Sequence, residues 1–161
     1  MTFQHPQWPH DDAASLKAFY GDPAKGEPGQ RLVSVVAPYQ MFYAGKPIKG
    51  VMFHQKAAPS LAWVFQQIWD HYEHDQAKVD AAGVSHYDGA FNSRLIRGSA
   101  TVWSNHAYGA AIDLDASRNG FNTGHGTMPQ AVVDIFKAAG ALWGGDYTHR
   151  TDPMHFEFCS R

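Results

Sequence analysis

Two short stretches about forty residues apart alternate apolar side chains with titratable ones, and this period of two restricts the fold more than any other feature of the chain. In Ile112-Asp113-Leu114-Asp115 carboxylates alternate with aliphatic groups. In His155-Phe156-Glu157-Phe158 an imidazole and a carboxylate alternate with two phenyl rings. A strand turns successive side chains to opposite faces, so each stretch would send its apolar residues to a core and its titratable ones the other way. Set side by side, two such strands bring Asp113 and His155 together. Asp115 and Glu157 share those faces, as partners of the first pair or as solvent-exposed groups.

A third titratable group, His106, precedes the first strand. A catalytic zinc ion usually takes three protein ligands from His, Asp, Glu and Cys and keeps a fourth position for water, whose pKa it lowers toward neutrality. His106, Asp113 and His155 make up such a set, and Asp152 adds a carboxylate three residues before the second imidazole.

The pattern Ser-x-His-x-x-Gly-x-Ala-x-Asp, formed by Ser104, His106, Gly109, Ala111 and Asp113, is followed by Asp-x-x-His-Phe-Glu at Asp152 to Glu157. Together they resemble the zinc D-alanyl-D-alanine carboxypeptidase and L-alanyl-D-glutamate endopeptidase family, whose members cut bacterial cell-wall peptides and include phage endolysins. The likeness extends upstream through Gly89 to Ser99 and downstream through Trp143-Gly144-Gly145-Asp146, so it covers the second half of the chain. It implies a hedgehog/D,D-peptidase-like fold and Zn2+ held by His106, Asp113 and His155. It also implies that Asp152 is the general base and later the proton donor to the leaving amine. Arg94 becomes the arginine that anchors substrate, since guanidinium grips a carboxylate in a two-pronged fashion. Arg97 competes for that role; in an extended chain the two point to opposite faces, so one of them enters the cleft. Ser104 is either a hydroxyl for substrate or ligand, or an ordinary turn hydroxyl. Gly109 is architectural, permitting a close turn.

The remainder of the chain supports one domain, 31–161, with residues 1–30 as an arm packed on it. Asp12 to Tyr20 is a helical candidate, and Gly21 to Gly29 a loop. Arg31 to Tyr43 and Val51-Met52-Phe53 are strand candidates on either side of the turn Gly45-Lys46-Pro47. Pro59 opens the main amphipathic helix, with Leu61, Val64, Phe65, Ile68, Trp69 and Tyr72 at three- and four-residue spacing. His71 and His74 at its far end read as solvated groups favoured by the helix dipole. Asp80 to Ser85 reads as a loop, and Ala116 to Gly126 as a polar loop able to shape access to a cleft. A last helix runs from Pro129 to Gly140. Helices and strands that are segregated, and do not alternate strictly, argue an α+β fold with a small, mainly antiparallel sheet and flanking helices. Trp143 and His149 are candidates to line the cleft beside the last strand, and His125 to touch substrate.

Formal net charge is −2, and Lys and Arg form no cluster, which leaves out nucleic acid as a partner. The single cysteine, Cys159, excludes an intramolecular disulfide and fits synthesis in a reducing compartment. No basic start with an apolar run marks a signal peptide, and no segment has the length to insert in a membrane. The expectation is a monomer made in the cytoplasm that reaches the wall through a separate pore. The expected activity is zinc-dependent hydrolysis of peptidoglycan stem peptides, most simply as an endolysin-like L-alanyl-D-glutamate endopeptidase. A D,D-carboxypeptidase using the same residues is the alternative, as is a non-catalytic relative that binds wall peptides. A serine hydrolase lacks its Gly-x-Ser-x-Gly or Ser-x-x-Lys signature.

Overall fold

The computed structural model describes residues 3–161. A four-stranded antiparallel sheet with the spatial order β5-β6-β8-β7 carries the functional half of the chain: β5 (Tyr87–Gly89), β6 (Ala111–Leu114), β7 (Leu142–Trp143) and β8 (His155–Glu157). Two small two-stranded sheets precede it. One pairs β1 (Leu32–Val35) with β4 (Val51–His54), and the other pairs β2 (Met41–Tyr43) with β3 (Lys46–Ile48). Four helices flank the strands: α1 (Ala13–Tyr20), α2 (Ala58–His71), α3 (Gln76–Ala82) and α4 (Gln130–Ala138). The architecture is α+β.

The alternating stretches form adjacent strands in a register that follows from their pattern. Ile112 lies opposite Phe156 and Asp113 opposite His155. Ile112 and Phe156 are fully buried, and Phe156 stacks on Phe136 of α4 with ring centroids 3.8 Å apart and planes 12° apart. A Phe156→Ala chain loses that stacked pair and leaves a cavity against α4. It is expected to lose about 3–5 kcal/mol of stability in a chemical-denaturation curve.

α2 places Leu61, Val64, Phe65 and Ile68 in the core at the expected spacing. The segment ahead of Gln30 also contributes to that core. Trp8, Leu16 and Tyr20 are buried, Tyr20 donates its hydroxyl to Phe158 O (2.6 Å), and Trp8 donates Nε1–H to Ala139 O (2.9 Å).

Three local expectations change. Arg31 to Tyr43 is not one strand: it splits into β1 and β2 around Pro38, which cannot donate to a ladder. The first half of the stretch read as a loop from Asp80 to Ser85 is the end of α3. Asp75 caps that helix by accepting from Ala77 N (2.9 Å), and Gly83 closes it in the left-handed conformation. His71 and His74 are both exposed, as read, but only His71 belongs to the helix, because α2 stops there. His74 has φ +57° and lies outside the helix, where its Nε2 pairs with Asp70 at 2.8 Å.

Candidate metal centre

Local structure delivers each of the three clustered side chains. His106 rides on a 3-10 turn, Asn105–Tyr108, that Ser104 caps by accepting the His106 backbone N–H (3.3 Å), and Gly109 ends the turn at φ +71°. A Cβ at 109 would also meet the end of the Leu32 side chain at 2.8 Å, which can give way, so it is the positive φ that calls for glycine there. The chain then runs directly into β6, which presents Asp113, and β8 presents His155 from the opposite position across the ladder. Ligand atoms from His106, Asp113 and His155 all lie within 4.8 Å of one another.

The two carboxylate oxygens of Asp113 divide between the rings: Oδ1 lies 3.0 Å from His155 Nδ1 and Oδ2 lies 3.2 Å from His106 Nε2. The outward nitrogen of each ring is also occupied. His106 Nδ1 lies 2.7 Å from Ala90 O, and a carbonyl can only accept, so Nδ1 carries the hydrogen and Nε2 faces the cluster. His155 Nε2 lies 3.1 Å from Glu157 Oε2, which leaves Nδ1 as its inward atom. Both rings are thereby fixed in the orientation a metal site needs.

Electrostatics follow the geometry. Burial works against the charge on Asp113, yet hydrogen bonds from His106 and His155 hold its carboxyl well below the usual carboxylate range. Burial likewise disfavours a charged His155, but Asp113 on one side and Glu157 on the other raise it well above an ordinary imidazole. Two imidazoles and a carboxylate with inward lone pairs are a donor set that suits Zn2+.

Asp152 sits at the turn into β8. Its backbone N–H donates to Gly144 O (2.8 Å), and its own carbonyl accepts from His155 N (3.0 Å). Burial raises the pKa of its side chain, with the charges of His155, Asp113 and His106 also felt there. Its Oδ1 is buried and has no hydrogen-bond partner. The chain around it fits tightly: Trp143 donates Nε1–H to Pro153 O (2.8 Å), and a Cβ at Gly144 would lie 2.2 Å from Asp152 O.

A groove of about 730 Å³ opens onto His106 and Asp113, with Tyr43, Tyr87, Phe91, Arg94 and Arg97 in its wall. Both arginines line it. The expectation that they diverge fails because residues 90–104 are not an extended strand but an irregular loop, folded back by a bridge between Leu95 and Trp103 and turned at Gly98. Ser104 and Asp152 are not part of that wall. The Ser104 hydroxyl accepts the His106 N–H in the cap and keeps its own hydrogen to donate; it lies in the turn and does not line the groove. Trp143 and His149 line a separate hollow of about 860 Å³ with Lys137, Tyr147 and Arg161. That hollow is the larger of the two, but the clustered ligands do not border it. His125 packs over Trp143 with ring centroids 5.5 Å apart.

Asp115 and Glu157 are both buried, against the exposed reading. They part company otherwise. Asp115 has φ +53° and leaves the strand, so it faces Arg118 (2.8 Å to Nε) and receives the Asn119 amide. It anchors the 116–126 loop instead of serving the cluster. Glu157 stays in β8 and serves His155. Tyr147, which donates its hydroxyl to Glu157 Oε1 (2.6 Å), and Asn105, whose amide donates to Oε2, escaped the sequence reading. Alternation marked Glu157 in advance, whereas no spacing in the sequence ties Tyr147 to it.

Among known proteins, residues 97–158 match the model of a family described as D-alanyl-D-alanine carboxypeptidase. That span includes the 3-10 turn, β6, Asp152 and β8, and it supports a peptidase. No curated protein and no solved structure matches the chain.

Proposed function

We propose that this chain is a zinc metallopeptidase that hydrolyses peptidoglycan stem peptides, with His106, Asp113 and His155 as the metal ligands. The observation that carries the reading is the convergence of these three side chains, each with its inward atom fixed by a partner behind it or across the strand pair. Zinc in such a donor set supplies Lewis-acid chemistry, acidifying water and polarising a peptide carbonyl.

The residues of the chain do the rest. Asp152, half-buried with one oxygen unpartnered, accepts the proton of the attacking water and returns it to the leaving amine. Arg94, in the groove wall, grips a substrate carboxylate, and Arg97 on the same wall offers a second guanidinium. Two guanidinium groups suit a stem peptide, which carries more than one free carboxylate, and the bond we take to be cut is the one between L-alanine and D-glutamate. The family description favours the second reading, release of terminal D-alanine by the same site.

The test is product analysis on purified peptidoglycan. Endopeptidase action frees stem peptides lacking their first residue, and carboxypeptidase action frees D-alanine. A chelator should abolish either release, and added Zn2+ should restore it. Wall material that is bound but never cut would leave only the non-catalytic binding role.

The tight seat of Asp152 gives a second expectation. Gly144→Ala forces the Asp152 carbonyl to move, and displacing a catalytic group by about 1 Å costs on the order of a hundredfold. The variant should show that loss in kcat/KM while retaining bound zinc.

A further inference from the structure

Behind His155 lies a polar group of side chains for which peptide hydrolysis itself has no use. Glu157 is only 3% exposed, yet it is provided with three donors. Tyr147 donates its hydroxyl to Oε1 at 2.6 Å, and Oε2 is met by His155 Nε2 at 3.1 Å and by the Asn105 side-chain amide. The same amide nitrogen reaches Asp11 Oδ1 at 3.1 Å and Cys159 Sγ at 3.8 Å. Asp11, Glu157 and Cys159 lie close together, and the Asn105 amide sits among them, its two hydrogens going to the Asp11 and Glu157 carboxylates with the Cys159 sulfur a longer third neighbour. The cluster is a hydrogen-bonded clasp.

The consequence of the clasp falls on one ring nitrogen. A buried carboxylate with a free rotamer could accept from His155 in several ways or leave it. With Tyr147 holding one oxygen and Asn105 the other, Glu157 has a single placement, and that placement keeps the His155 hydrogen on Nε2. Asn105 also immediately precedes His106 on the 3-10 turn, so one amide spans from the turn that carries the first imidazole to the strand that carries the second.

We infer that Tyr147 and Asn105 are positioning residues for the metal centre: acting through Glu157, they set the tautomer and orientation of His155 so that its Nδ1 is offered to the ion. The inference rests on reading His106, Asp113 and His155 as metal ligands, and its test separates the two.

The full-length chain and its Tyr147→Phe, Asn105→Ala, Glu157→Gln and Tyr147→Phe/Glu157→Gln variants would be titrated with Zn2+ against a chromophoric chelator. The visible spectrum of each Co2+-loaded form would be recorded, with circular dichroism and thermal melting reporting the fold. Tyr147→Phe keeps the ring and removes only the hydroxyl. Loss of such outer partners weakens metal binding by about 10–100-fold, and each single variant should fall in that range with an altered cobalt spectrum. Because Tyr147 acts through Glu157, the double variant should bind zinc no more weakly than Glu157→Gln alone.

Wild-type zinc affinity and an unchanged cobalt spectrum in both Tyr147→Phe and Asn105→Ala would overturn the inference alone. So would losses that multiply in the double variant. A wild-type chain that takes up no zinc would overturn the metal reading and the inference with it. A variant too unstable to titrate is replaced by its conservative counterpart, Asn105→Gln for Asn105→Ala, whose amide can rescue the donor. Failure of that amide to restore affinity counts against the inference.

Discussion

Asp113→Ala is expected to leave the purified chain with essentially no zinc and no measurable peptide release, a loss on the order of a thousandfold or more in turnover, equivalent to about 4 kcal/mol of barrier. The size follows from where Asp113 stands. It is the one group that touches both imidazoles, at 3.0 Å and 3.2 Å, and the one negative charge among the three proposed ligands. Without it the two rings face each other with no carboxylate between them. The fold should survive, since Ile112 and Leu114 keep β6 in the core and His155 still has Glu157 behind it. Elemental analysis of the purified variant, with circular dichroism as the control for folding, measures the effect. Full zinc occupancy in a folded Asp113→Ala chain would remove Asp113 from the ligand set.

The second large effect separates chemistry from metal binding. Asp152→Asn preserves shape but cannot take up a proton, so kcat should fall by about a hundredfold to ten-thousandfold, the usual contribution of a general base. Zinc content should be unchanged, because Asp152 is not among the three clustered groups. The substitution also converts a half-buried carboxylate with an unpartnered oxygen into a neutral amide, so no loss of stability is expected from burial of charge. Equal rates of peptide release by the wild type and Asp152→Asn would show that the proton goes elsewhere.

What could be read from the residues, and what could not, divides along a physical line. The alternation in 112–115 and 155–158 points to two strands with Asp113 and His155 on a shared face, because their apolar residues must all turn to the same core. The amphipathic helix from Pro59 was equally plain, since its apolar spacing spans several turns. Short elements and irregular backbone were less legible. α3 depends on a capping aspartate and a closing glycine and has only one fully buried side chain, Val79, to signal it. The arginine pair defeated an argument from strand geometry because the 90–104 loop has no period at all. Asp115 was misplaced for a related reason: one left-handed residue at the end of β6 turns it away from the face its position implied. Tyr147 and Trp143 take their partners, Glu157 and Pro153, across a turn ten residues long, and side-chain hydrogen bonds of that kind leave no periodic trace.

The strand that arrives last in the chain occupies the middle of the sheet. β8 slots between β6 and β7, and its pairing with β6 joins positions 113 and 155. During synthesis, therefore, β6 and β7 emerge before the strand that stands between them and bonds to both, and they await that keystone. Contacts so distant along the chain close slowly, because loop entropy must be surrendered before they reward it. The keystone also brings His155, so the proposed competence to hold an ion arises together with completion of the sheet. A nascent chain short of that point has neither.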